Sequence, residues 1–151
     1  MDLITKGQFD RAIRIIRETL QEFEHTEVRQ ILVLALGKAG RYDEAISLCR
    51  EGMRRYPGES EWRQRLSTAL HNYAVQLIDN KSYDRALGCF EESLTLTGDE
   101  VTRKMMAQCY ALRALTKLNA GNRWGARQDL QESARLDPRD STVRDLLRQI
   151  S

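Results

Sequence analysis

The sequence is poor in chain breakers and in cysteine. Two prolines, Pro57 and Pro138, stand among 151 residues, which excludes a loop-dominated or disordered chain, because long stretches stay free to close helical hydrogen bonds. Three cysteines, Cys49, Cys89 and Cys109, are odd in number and widely spaced. They make no disulfide framework, which favours a reducing compartment and a cytoplasmic location. No run approaches the roughly 20 unbroken apolar residues that cross a bilayer, and no basic-then-apolar leader opens the chain. One-signed charge is lacking too, with 24 Lys+Arg against 22 Asp+Glu. The balance is uneven, however. Residues 1–100 carry 14 basic and 17 acidic side chains, net −3, whereas residues 101–151 carry 10 and 5, net +5.

Groups for chemistry are equally scarce. Two histidines, His25 and His71, have no neighbours that complete a metal-ligand set, and the cysteines are too far apart for a CxxC site. Gly37-Lys-Ala-Gly40 lacks the spacing of a phosphate loop, and no serine sits in a nucleophile motif. Cys49 and Cys89 read as small buried apolar residues. The expectation is a protein without catalytic residues, metal or cofactor.

What is present is a repeat. Gly7-Gln-Phe-Asp-Arg-Ala12, Gly40-Arg-Tyr-Asp-Glu-Ala45, Lys81-Ser-Tyr-Asp-Arg-Ala86 and Gly121-Asn-Arg-Trp-Gly-Ala126 align as a turn followed by a helix start. Four residues past each alanine stands Ile16, Cys49, Phe90 or Leu130. Twelve past Ala45, Ala86 and Ala126 stand Pro57, Gly98 and Pro138, which stop a helix. Glycine supplies the backbone freedom of a tight helix-to-helix turn. Alanine lets antiparallel helices approach closely, and Phe9, Tyr42 and Tyr83 plug the gap to the next pair. Such a pair cannot bury its apolar face alone, so pairs must stack.

The phrases Gly40-Arg-Tyr-Asp-Glu-Ala-Ile46, Ser82-Tyr-Asp-Arg-Ala-Leu87 and Ala134-Arg-Leu-Asp-Pro138 resemble the tetratricopeptide repeat family over nearly the whole chain. The resemblance implies an all-α fold, a right-handed superhelical α-solenoid of antiparallel helix hairpins. It divides the chain into a half repeat at 1–25, a repeat at 26–59, extended repeats at 60–98 and 99–138, and a capping helix at 140–150, all within one domain that is expected to be a piece of a longer array. In the last, Ser141 is the expected cap, and Val143, Leu146, Leu147 and Ile150 form the apolar stripe.

The pattern also departs from the family. The alanines are 33, 41 and 40 residues apart against a period of about 34, so 6 or 7 residues are inserted in each of the last two linking regions. Residues 59–65 and 99–105 contain no glycine or proline and read as helix. The first helices of repeats three and four should therefore run long, near 60–79 and 99–119, each by about 10 Å. The first repeat lacks its first helix. Its turn at Gly7 leads into a helix from Phe9 to Phe23 with apolar residues at 9, 13, 16, 20 and 23. Around 107–124 the register is open by one residue, because Lys117 falls on an apolar place. A slip there would bring Leu118 and Trp124 into the core.

For function, stacked hairpins make a concave wall from their first helices. The inward positions are Glu27, Gln30, Ile31, Leu34 and Lys38, then Thr68, His71, Asn72, Val75 and Asp79, then Gln108, Ala111, Leu112 and Leu115. A groove apolar in the middle and polar at its edges suits a peptide or amphipathic helix of a protein partner, in a co-chaperone or assembly role. The binding residues expected are Gln30, Ile31, Leu34, Lys38, His71, Asn72, Val75, Asp79, Gln108 and Leu112. Of the lysine, arginine and asparagine set with which some family members grip a chaperone's C-terminal carboxylate, Asn72 alone matches. Two alternatives stand beside the groove. One is a homodimer through Phe9, Ile13, Ile16, Leu20 and Phe23. The other is nucleic-acid contact through Arg103, Lys104, Arg123, Arg127 and Arg135, against which the interleaved acids and the want of an aromatic stacking platform both speak.

Overall fold

The computed structural model describes residues 3–151. Among them stand eight helices and no strand: α1 (Leu3–Glu22), α2 (Thr26–Lys38), α3 (Tyr42–Arg55), α4 (Glu61–Asp79), α5 (Tyr83–Thr97), α6 (Glu100–Asn119), α7 (Arg123–Leu136) and α8 (Ser141–Ile150). The fold is the all-α set of helical hairpins that the repeat implies. The helix stops fall just before Pro57, Gly98 and Pro138, and both long first helices are continuous. None of these helices is long and apolar enough to cross a membrane. The contacts form two compact units, Met1–Asn72 and Tyr73–Ser151, whose border lies within α4.

In the first unit α2 and α3 form a hairpin. Gly40 turns it at φ 72, which lets its N–H reach Gly37 O at 3.1 Å and the Arg41 N–H reach Leu36 O at 2.9 Å. Ala45, Ile46 and Cys49 of α3 and Leu32, Val33 and Leu36 of α2 are buried. Trp62 explains why the first insertion is helix. Its indole is wholly buried, donates from Nε1 to Thr26 Oγ1 at 3.3 Å and Glu59 Oε2 at 3.2 Å, and stacks on Tyr56. The ring packs against Gly52 of α3, where any Cβ would collide with it.

The expectations for repeat one need correction. Gly7 is not a turn but an interior residue of α1. A glycine costs a helix about 1 kcal/mol, too little to break a run of good helix formers. Ala12 is exposed, since no described helix stands opposite it, and residues 1–2 of the segment before Gly7 lie outside the described residues. The dimer face fails as drawn. Ile13 and Leu20 are buried where α1 packs on α2, and Phe9 and Ile16 are half-buried. Among the described side chains, the large apolar residues that α1 and the segment after it expose are Ile15 and Phe23.

In the second unit, Ala74 and Leu77 of α4, Ala86, Leu87 and Phe90 of α5, and Met106 and Cys109 of α6 share one core cluster. Ala114, Ala126, Leu130 and Val143 form another, flanked by Leu118, Leu146, Leu147 and Ile150. Helix α8 thus seals the α6/α7 hairpin with the stripe expected. Its cap is Asp140, not Ser141: the Asp140 carboxylate accepts from the N–H groups of Thr142 (2.9 Å) and Val143 (3.3 Å), so Ser141 is already helical.

The register needs no slip. Trp124 occupies the repeat position of Asp43 and Asp84 and points to solvent, 72% exposed. Lys117 stays on its buried-side place because it finds a partner there. Asp129, 3% exposed, accepts Lys117 Nζ at 2.9 Å and both Arg113 Nε (2.9 Å) and Nη2 (2.7 Å).

At the turn of repeat three, Lys81 stands where repeats two and four have glycine, at φ 59. The left-handed region costs a side chain roughly 1–2 kcal/mol. Lys81→Gly is therefore expected to raise stability by about 0.5–1 kcal/mol, part of the gain being lost to the freer unfolded chain. Urea unfolding of the two proteins checks this, and an unchanged or lower midpoint would show that Lys81 is strain-free.

Candidate interaction groove

The site grows from an oddity of α2. Its leucines, isoleucine and valines lie on more than one face, so after Leu32, Val33 and Leu36 have filled the core, Ile31 and Leu34 remain 54% and 56% exposed. Beside them, within the first unit, a groove of about 560 Å³ opens. Val33, Leu34 and Gly37 of α2 with Ala45 and Ala69 give it apolar lining. Lys38, Tyr42, Glu61, Gln64, Arg65, Thr68 and Asn72 supply its polar groups.

The polar groups are partly engaged already. Gln30 donates to Glu61 Oε2 at 3.2 Å and accepts from Arg65 Nη2 at 3.2 Å, tying the start of α4 to α2. Arg65 Nε is buried without a hydrogen-bond partner, an uncommon loose end for a guanidinium. Lys38 makes no ion pair among the described residues. The groove thus combines an apolar floor with two cations that have spare hydrogen-bonding capacity.

Of the ten binding residues expected from sequence, Leu34, Lys38 and Asn72 line this groove. Gln30 sits beside it through its bonds to Glu61 and Arg65. Ile31 is exposed one turn before Leu34, and His71 is half-buried in α4. The other four belong to the second unit. There Val75 packs on the core cluster, Asp79 and Gln108 are exposed, and Leu112 is 38% exposed. With Leu115, 42% exposed, Leu112 repeats on α6 the i, i+3 apolar pair that Ile31 and Leu34 make on α2. Sequence reasoning missed Glu61, Gln64 and Arg65, whose signal was the insertion itself: the added residues lengthen α4 where it walls the groove. Gly37, weighed in the sequence only against a phosphate loop, leaves open space where a side chain would stand.

Nucleophiles are poorly placed for chemistry. Burial pushes the Cys49 thiol up to about 12 and the Cys109 thiol up to about 11, so both stay protonated at neutral pH. No group of three metal-ligating side chains occurs among the described residues.

No protein-family model and no curated protein matches the chain. Solved structures do show likeness. One is the first TPR of Spaghetti (RPAP3) bound to the HSP90 peptide SRMEEVD, at 20% identity over 84% of this chain and 90% of that one, TM-score 0.36. Another is MamA MSR-1 C2, at 19% identity over 91% and 72%, TM-score 0.46. A third is MamA 41-end from Desulfovibrio magneticus RS-1, at 19% identity over 97% and 76%, TM-score 0.38. The tetratricopeptide resemblance itself stands on the turn–aromatic–Asp–x–Ala phrases and the hairpins they open.

Proposed function

We propose that the chain is a protein–protein interaction module that takes a peptide or an amphipathic helix of a partner protein into the groove between α2 and α4. The observation that carries this is an apolar stripe left open beside a cleft. Ile31 and Leu34 are more than half exposed although α2 has a full core face. The cleft's volume falls within the roughly 300–1,000 Å³ of ligand-sized sites. Ile31, Leu34 and Val33 would receive apolar side chains of the partner, while Lys38, Arg65 and Asn72 would meet its polar or acidic groups. In the second unit Leu112 and Leu115 would offer a further apolar contact, with Gln108 and Asp79 polar ones. A co-chaperone or assembly scaffold is the class of role such a module serves.

Panning a peptide library on the protein tests the proposal. Burying one leucine contributes about 1.5–3 kcal/mol, so Leu34→Asp should weaken the selected peptides at least tenfold, with the helical circular dichroism unchanged. Gly37→Leu should do the same by filling the groove, since a Cβ there meets nothing within 4 Å. Peptides that bind both variants as well as the parent would place the contact elsewhere.

A further inference from the structure

The outer face of α7 carries a feature unrelated to the groove. Its exposed residues are Arg123, Trp124, Arg127, Gln128, Gln131 and Arg135. No acid is among them: Asp129 is buried under Arg113 and Lys117, and Glu132 is paired with Arg135 at 2.9 Å. The side chains of Arg123 and Arg127 make no ion pair or hydrogen bond among the described residues. Arg127 and Gln128 follow Trp124 by three and four residues, which places both beside the indole on one helical face.

We propose that this face binds single-stranded nucleic acid, with a base stacked on Trp124 and the neighbouring phosphates held by Arg123 and Arg127. An exposed aromatic ring on a basic surface is the stacking platform of sequence-tolerant single-strand binders. A protein partner is the poorer fit. The core of a protein interface needs contiguous apolar surface, yet Trp124 is the one large apolar residue α7 exposes, and arginines and amides surround it. The sequence spoke against nucleic acid on two grounds, the interleaved acids and the want of an aromatic stacking platform, while leaving Trp124 open to a place in the core. Trp124 lies outside, in the last third of the chain, where basic residues outnumber acidic ones ten to five.

The chain holds two tryptophans, and Trp62 is wholly buried, so intrinsic fluorescence reports on Trp124 during titration with an oligouridylate of about ten nucleotides, a length within the usual site size. The expected result is saturable quenching at low salt that weakens as salt rises. Two phosphates engaged predict a log–log slope of about −1.4. Read by the anisotropy of a dye-labelled oligouridylate, which needs no tryptophan in the protein, Trp124→Ala, at an exposed position, should lower affinity at least fivefold, Trp124→Phe should keep most of it, and Arg123→Glu with Arg127→Glu should remove it. The proposal is overturned by no quenching at low salt, by affinity unchanged in Trp124→Ala, or by polyglutamate of equal charge binding as tightly, which would make the face a site for acidic protein.

Discussion

Asp129→Ala is expected to destabilise the second unit by about 3 kcal/mol, the low end of the roughly 3–5 kcal/mol seen when one partner of a buried ion pair is removed. The carboxylate is 3% exposed and receives both nitrogens of a fork from Arg113 and a further bond from Lys117. Without it, two cations are left facing a small cavity. Arg113 keeps Asp84 at 2.6 Å and the Tyr110 ring at 5.4 Å, and its side chain is 24% exposed, so partial rehydration holds the loss at the low end. Urea unfolding gives the number. A change under 1 kcal/mol would mean that Arg113 and Lys117 rehydrate fully.

The same carboxylate predicts a pH dependence. Burial pushes its pKa up, but the bonds and charges of Arg113 and Lys117 outweigh burial and hold it below the ordinary carboxylate value. A group depressed in the folded state stabilises fully above its unfolded pKa, about 3.9 for aspartate, and loses that contribution as pH falls from there through the folded value. The stability difference between the parent and Asp129→Asn should therefore be constant at neutral pH and shrink below about pH 4. A difference that stays the same from pH 7 to pH 3 would show that shape, not charge, is what the site requires.

Gly52→Ala is expected to cost about 2 kcal/mol, although alanine is the better helix former by about 1 kcal/mol. A Cβ at residue 52 would stand 2.7 Å from Cε2 and 2.5 Å from Cε3 of Trp62, and nearer still to Cδ2. The ring has nowhere to go, being fully buried, hydrogen-bonded at Nε1 and stacked on Tyr56 at 6.3 Å between centroids. Overpacking of this kind costs about 1–3 kcal/mol, and a displaced indole also loses its bonds to Thr26 and Glu59. Gly88→Ala is the matched control: residue 88 is an exposed interior position of α5 where a Cβ meets nothing within 4 Å. It should stabilise by about 1 kcal/mol. Equal effects at the two glycines would mean that the indole slides aside.

The groove was half legible. Leu34, Lys38 and Asn72 could be placed by counting back from the alanines, because one face of a helix is a matter of spacing. Arg65 and Glu61 could not, because they lie in residues that the repeat period does not cover. Gly52 was equally silent. Only in retrospect do Gly52, Ser93 and Ser133, each seven residues past a repeat alanine and each buried, read as one small-residue position.

The sequence by itself determined the hairpins: their turns at Gly40 and Gly121, their stops before Pro57, Gly98 and Pro138, and the two lengthened first helices. These depend on interactions within a turn or two of helix, which local residue types control. Only the tertiary structure decided that Ile13 and Leu20 are covered while Ala12 is not, that Asp129 keeps Lys117 in register, and that Trp124 stands in water. Each of those depends on what a distant segment brings to the same place, and spacing along a chain carries no record of that.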